Sequence, residues 1–449
     1  MPLLMPLEER VLFSSTAGLS PAVVRDAYGF DQVVYSNGTS AVAADGRGQT
    51  IAIVTAFDAP TLTNDLDVFD KLFSLDGEQS LYAAYGAAST VLTKHEMSTS
   101  ETADASWSQE ASLDVEWAHA IAPGAHILLV EAASDGLSDL LAGVDYAREQ
   151  PGVSVVSMSW GAAEYPTEWV DDNHFLTPAG HQGVTFVTSA GDSNGTTWPA
   201  VSPYVLSVGG TTLLTKGATY LGEAAWTDTG GGISSVETAP AFETALTGSG
   251  QRSAPDVAYD ANPSTGFYVY DSTDDEGAVG WQTFGGTSAG APQWAALVAI
   301  ANQGRAILGK GTLDGPTQAL PAIDSLPQSD FHDITLGSTG SFFFGLSATV
   351  GYDELTGRGT PIANRVIIGL LGWNGVSPNV VHNTTNAPVT PPHHRFHRFG
   401  EAEGATLLAG KNVILKPNVA SPAGGVKLPV FYKVSLLPED PVHAALALL

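Results

Sequence analysis

The chain has 449 residues, no cysteine and a formal net charge of −29. Absence of cysteine rules out disulfides, thiolate metal sites and a catalytic thiol, and the acidity argues against a nucleic-acid binder, which needs a basic face to neutralise phosphates. Frequent glycine (49) and proline (27), with only 14% charged residues, fit a compact, loop-rich globular protein rather than a disordered one.

Residues 1–18 read as a leader. MPLLMPLEERVLFSS lacks the apolar core of a standard secretory signal, and LEERVLFS resembles a short N-terminal motif of some large exported bacterial proteins, which implies a secreted or cell-surface location. QTIAIVTAF (49–57) predicts a buried strand, and DAPTLTNDLDVFDKLF a helix capped near Thr63 or Asn64. HILLVEA (126–132), VSVVSMSWG (153–161), HQGVTFVTSAGD (181–192) and PYVLSVGG (203–210) predict further strands, with a helix over 137–150. Apolar strands interleaved with helices predict an α/β fold, a mostly parallel sheet covered on both faces, with active groups at the carboxyl ends of the strands. Residues 211–285, richer in Gly, Thr and Asp, predict loops and antiparallel strands, and a helix follows Ser288. The core is expected to end near Gly372-Trp373. A Pro/Asn/Thr/His-rich linker (376–400) and a short β-strand-like tail (401–449) follow, the tail fitting part of a small sandwich module. Beyond residue 375 the chain holds six Lys/Arg against four acids, so the acidity belongs to the body. Such a body repels itself at neutral pH and less in acid. No stretch is long and apolar enough to span a membrane.

GGTSAGAP (285–292) places Ser288 at a helix N-terminus between glycines, a position that suits either a helix cap or a nucleophile. VVSMSWG (155–161) and TSAGDSNG (188–195), in this order, make the three segments resemble the subtilisin-like peptidases. There the Ser-x-Gly strand edge, here Ser159, Trp160 and Gly161, pairs with an extended substrate, and the second turn supplies an oxyanion-stabilising side chain. That position, normally Asn, is Asp192. A subtilisin also needs a His base in a His-Gly-Thr setting, and none of the eleven histidines has one. Glu110 and Asp114, by contrast, lie four apart on one helical face. An exposed pair of this kind is only a solvated acidic face. A buried pair raises one pKa and shares a proton, giving a base that works in acid.

SLDVEWAHAIAPGA, VVSMSWG, SAGDSNG, APDVAYDANPSTG, GGTSAGAPQWAALVAIANQGRA and HDIT…VGYDELTGRGTP together resemble the sedolisins, the serine-carboxyl peptidases, over about residues 19–373. The resemblance implies a subtilisin-like peptidase domain (19–375) and hydrolysis of polypeptide substrates through an acyl-enzyme. It implies Ser288 as nucleophile, Glu110 as base, Asp114 as its support and Asp192 as oxyanion donor. It further implies one Ca²⁺ held by Asp333, Ile334 O, Thr349 O, Gly351 O and Asp353, and a monomer. Family members carry a long N-terminal pro-domain, whereas about eighteen residues precede the catalytic region here. Two alternatives stay open at this point: a catalytically silent peptidase-fold surface protein, and a His-dependent subtilase.

Overall fold

The structure is a computed structural model. It describes residues 18–373 apart from 37–39, 76, 78, 99–102, 276–277 and 340–344, together with 412–414 and 431–433. The predicted leader, except Gly18, and the linker lie outside the described residues. Of the tail, only two short strands, Asn412–Ile414 and Phe431–Lys433, are described, paired antiparallel.

A helix, α1 (Pro21–Tyr28), starts on Pro21 and stops at Gly29 in the left-handed region. Among the described residues the central sheet has eight strands: β1 (Thr50–Ala56), β2 (Leu92–Glu96), β3 (His126–Ala132), β4 (Val153–Met158), β5 (Thr185–Ser189), β6 (Val205–Lys216), β7 (Thr219–Ala225) and, further along, Val257–Asp260. Their spatial order is β7-β6-β5-β4-β1-β3-β2, with Val257–Asp260 also beside β6. All pairings are parallel except β6 with β7. The expected mostly parallel sheet is therefore present, with an antiparallel edge.

Alternation along the strands splits the core in two. Ile51, Ile53, Ile127, Leu129, Val155 and Val208 face one side, with helices α3 (Ala105–Ile121) and α5 (Gly290–Ile307) packed there. Ala52, Val54, Leu128, Val130 and Met158 face the other, against α4 (Leu137–Glu149). Helix α2 (Leu62–Leu72) precedes α3 and packs on it, and α6 (Ala363–Gly372) closes the body against α5.

Local chemistry moves several predicted boundaries. Helix α2 begins at Leu62, not after Thr63 or Asn64. Its N-cap is Thr61, which makes no side-chain cap bond and instead meets the Thr273 hydroxyl at 3.0 Å. Strand β4 stops at Met158, because Ser159 turns inward to Asp114. Strand β6 runs on to Lys216, since its last residues pair with β7. The antiparallel pairs expected over 211–285 include β8 (Gly232–Thr238) with β9 (Gln251–Ala254), and a hairpin of Phe267–Asp275 with Ala278–Phe284.

Candidate active site

Helix α3 is buried on every side from Trp107 to Ile121. Its cap is Asp104, whose Oδ1 accepts from the backbone N–H groups of Ser106 and Trp107 at 3.1 Å each. Burial all round is unusual for a helix with three carboxylates and a histidine, since charged groups are buried only when paired or neutral. Each finds a setting. Glu110 and Asp114 point to one face, only 5% and 0% exposed. Glu116 accepts from Tyr270 N at 3.1 Å, and burial, with Asp70, Asp65 and Asp271 nearby, pushes its carboxyl well above the usual range. His119 lies 3.3 Å from the buried Asp70.

Ser288 sits in a single turn, Thr287–Ala289, that leads into α5. Gly286 before it has φ +94°, a conformation costly for other residues. Gly290 after it lets the helix start settle onto the sheet: a Cβ there would meet Val208 Cγ1 at 2.8 Å and Tyr259 Cβ at 2.9 Å. Ser288 is fully buried, and its Oγ has no hydrogen-bond partner among the described residues.

Two side-chain bridges converge on this turn. Ser159 Oγ donates to Asp114 Oδ1 at 2.8 Å and lies 3.4 Å from the carbonyl oxygen of Ser288. Thr287 donates its N–H and its hydroxyl to Asp192 Oδ1, both at 2.7 Å, while its Oγ1 accepts from Gly191 N at 3.0 Å. The structure thus brings Asp114, Asp192 and Ser288 together through Ser159 and Thr287. Glu110 lies one turn before Asp114 on the helix that packs against Thr287–Ala289. Thr287 stands inside GGTSAGAP, but its bond to Asp192 is set by tertiary packing and has no signature in the sequence.

The expected strand edge behaves differently in its side chains. The Ser159 hydroxyl faces inward, and Trp160 is buried with its Nε1 donating to Val54 O at 3.0 Å. Gly161 lies close against Trp198, whose carbonyl a Cβ would meet at 3.1 Å. Directly beyond it, Ala162–Ala163 pairs with Thr197–Trp198. Any substrate pairing at residues 159–161 would therefore use backbone groups.

No described histidine partners Ser288. His174 binds Asp145 at 2.9 Å, His126 meets Thr93 Oγ1 at 3.0 Å, and His181 lies between two backbone carbonyls. His95 and His332 stack on Tyr146 and Tyr220. The carboxylate after β1, Asp58, is bound to Lys94 Nζ at 2.8 Å, and the same ammonium reaches Glu131 at 3.0 Å.

The five predicted metal ligands lie on two adjoining loops. Both Asp333 oxygens accept from Gly351 N, at 3.0 and 3.2 Å. Asp353 accepts from the N–H groups of Thr349, Leu355 and Thr356 at 2.8 to 3.0 Å. No N–H among the described residues donates to the carbonyls of Ile334, Thr349 or Gly351. Two carboxylates and three unengaged carbonyls are hard oxygen donors of the kind Ca²⁺ takes. Gly351 supplies the left-handed turn (φ +85°), and Thr349 is outside that region.

A family model described as the subtilase family matches residues 86–314, about half of the chain. Kumamolisin of Bacillus sp. (strain MN-32) is 36% identical over 296 residues, covering 58% of this chain and 50% of that protein. Sedolisin of Pseudomonas sp. (strain 101) is 32% identical over 235 residues, covering 46% and 38%. The chain thus spans half or less of the length of these two relatives. A solved structure described as Pseudomonas sedolisin, a serine-carboxyl proteinase, complexed with two molecules of pseudo-iodotyrostatin, matches with a TM-score of 0.66 at 26% identity, covering 81% of this chain and 100% of that one.

Proposed function

We propose a function from one premise: the chain belongs to the subtilase family and, within it, to the sedolisins. On that premise it is an acid-acting serine-carboxyl endopeptidase, and residues 19–375 are its peptidase domain. The observation that carries this reading is the convergence of two carboxyl-bearing bridges, through Ser159 and Thr287, on the turn that holds Ser288.

The chemistry follows from the groups present. Ser288 Oγ attacks the scissile carbonyl carbon, and its proton passes to the Glu110 carboxylate, which Asp114 supports. The carbonyl oxygen becomes an oxyanion and needs a donor. An ionised Asp192 would repel it. A protonated Asp192 donates, and because Oδ1 accepts from Thr287 twice, the proton belongs on Oδ2. As the intermediate collapses, the C–N bond breaks and Glu110 returns its proton to the leaving amine. Water then attacks the acyl-enzyme, giving its proton to Glu110 and from there to Ser288. The cycle needs Asp192 neutral while Glu110 is ionised, which places it in acid. A His base, the alternative, has no candidate among the described residues.

The loops of Asp333 and Asp353 are proposed to hold one Ca²⁺, with Ile334, Thr349 and Gly351 giving carbonyl oxygens; the ion would fix the two loops together. Polypeptide substrates, a monomeric state and a location outside the cell complete the proposal. Among the described residues no helix is long and apolar enough to cross a membrane. The test is peptide cleavage from roughly pH 3 to 8, with Ser288→Ala alongside. Activity rising toward acid and lost in Ser288→Ala is expected. Cleavage that survives the substitution, or peaks near neutrality, would sink the reading.

A further inference from the structure

The segment that leaves Gly161, residues 162–175, carries four carboxyl groups, Glu164, Glu168, Asp171 and Asp172. A fifth, Glu237, comes from β8. Glu164 contacts Glu168 side chain to side chain, and Asp172 contacts Glu237 in the same way. Glu168, Asp172 and Glu237 are 0%, 4% and 3% exposed. Two ionised carboxylates buried side by side repel each other, and a proton held between each pair relieves that repulsion.

The groups facing the cluster from each packed element are neutral donors. Tyr165 gives its N–H to Glu168 at 2.6 Å and its hydroxyl to Asp171 at 2.7 Å. Trp198 Nε1 donates to Asp172 at 3.1 Å, and the Ser202 hydroxyl bonds the same carboxyl. Cations nearby are committed elsewhere. Arg148 and His174 pair with Asp145, and Arg148 also donates to the carbonyls of Asn173 and Leu176 at 2.8 and 2.9 Å, but to no carboxyl of the cluster. Arg252, which donates to Ser202 O, pairs with Glu243 and Asp256. No described Lys or Arg pairs with any of the five carboxylates.

The cluster reaches the candidate site through Glu164. Its Oε2 accepts from Ser234 Oγ at 2.6 Å and Ser235 N at 3.1 Å on β8, and its Oε1 accepts from the hydroxyl of Thr196. Thr196 directly follows the turn Gly191–Gly195 that bears Asp192. The same turn is bonded to the approach of β8, with Gly230 N to Gly191 O at 2.7 Å and Gly231 N to Gly195 O at 2.9 Å. Glu164 thus ties the Asp192 turn to β8, its contact with Glu168 steadies it from within residues 162–175, and the Asp172–Glu237 pair fastens that segment to β8.

We propose that the two pairs Glu164–Glu168 and Asp172–Glu237 form a proton-operated clasp, in which Glu164 is a positioning residue for the turn carrying Asp192 and loss of the shared protons releases that turn. Only the importance of the turn rests on the peptidase reading; the clasp itself does not. Burial pushes Glu168 up to about 7 and Glu237 up to about 8, and Asp172 is raised as well. Groups raised in the folded state contribute fully below the ordinary carboxyl range. Their contribution is lost as pH climbs through about 7 to 8.

The test is hydrogen exchange read by mass spectrometry on the full chain, at about pH 5 and about pH 8.5, corrected for intrinsic rates. Residues 162–175, 191–198 and 232–238 are expected to lose protection at the higher pH while α5 keeps it. Glu237→Gln and Glu168→Gln each replace the shared proton by a permanent amide donor. Glu168→Gln should keep residues 162–168 and 191–198 protected at about pH 8.5, and Glu237→Gln residues 169–175 and 232–238, with exchange slower than wild type by roughly tenfold or more, the equivalent of one pKa unit. A wild type with no local loss of protection, or variants that lose it just as the wild type does, overturns the clasp. Should one variant fail to fold, the other and the wild type still decide. A working clasp in a chain that cleaves nothing would sink the peptidase reading alone.

Discussion

Replacing Asp192 by Asn and by Ala separates charge from hydrogen-bond donation at one position. In the native site Asp192 Oδ1 accepts twice from Thr287 at 2.7 Å, and the proposed chemistry needs a proton on Oδ2. The Asn amide reproduces both features at every pH. Its oxygen takes the two Thr287 donors, and its NH₂ occupies the Oδ2 position. The reverse orientation would set NH₂ against two donors, losing two hydrogen bonds worth about 1 kcal/mol each, so the productive orientation dominates by well over tenfold. Asp192→Asn is therefore expected to stay within about tenfold of wild type at the acid optimum, with its alkaline limb moved upward. Asp192→Ala removes the donor, and kcat should fall about 10²–10³-fold, or about 3–4 kcal/mol. The assay is kcat/KM against pH, read from roughly pH 3 to 6.5, below the range where the carboxyl clasp opens. An Asn variant as slow as the Ala variant throughout, or one whose profile superimposes on the wild type's, would refute the argument that Asp192 acts as a neutral donor.

Other outcomes follow from the same contacts. Ser159→Ala leaves the buried Asp114 without its 2.8 Å donor, an effect of about 1–3 kcal/mol. The loss should fall on kcat with KM nearly unchanged, because the hydroxyl faces inward; a change confined to KM would contradict this. Chelation by EDTA should lower the thermal midpoint of the wild type, with Ca²⁺ restoring it and Mg²⁺ not, since the loop donors suit the larger ion. Asp353→Asn should abolish that response, and a wild-type midpoint indifferent to EDTA would leave the loops without an ion.

Much of the fold was legible because buried parallel strands read as continuous apolar runs, and IAIVTA, HILLVEA and VSVVSM all became strands. Strand ends were less legible. Whether Ser159 continues β4 depends on Asp114, forty-five residues away in sequence. The pair Glu110 and Asp114 could be read from helical spacing alone, but their burial could not, since α3 lacks an apolar stripe and is covered on every side. Thr287 and Ser159 were illegible as bridges because a hydroxyl's partner is set by tertiary packing. The carboxyl clasp was hidden for the same reason: Glu164, Glu168 and Asp172 read as an ordinary acidic segment until Glu237 is brought beside them.

The carboxyl pair Glu110 and Asp114 lies on α3 and Ser288 in the turn that leads into α5, separated by about 170 residues of chain. Strand β1 also waits for both its neighbours, β3 and β4, to be made. At a synthesis rate of about 5–20 residues per second, roughly 10–30 s pass between the appearance of Asp114 and that of Ser288. Throughout that interval the growing chain holds the carboxyl pair without the serine turn that α3 packs against. If the proposed serine chemistry holds, a chain interrupted before Ser288 cannot carry it out, so the order of the polypeptide would delay that chemistry until most of the domain has been made.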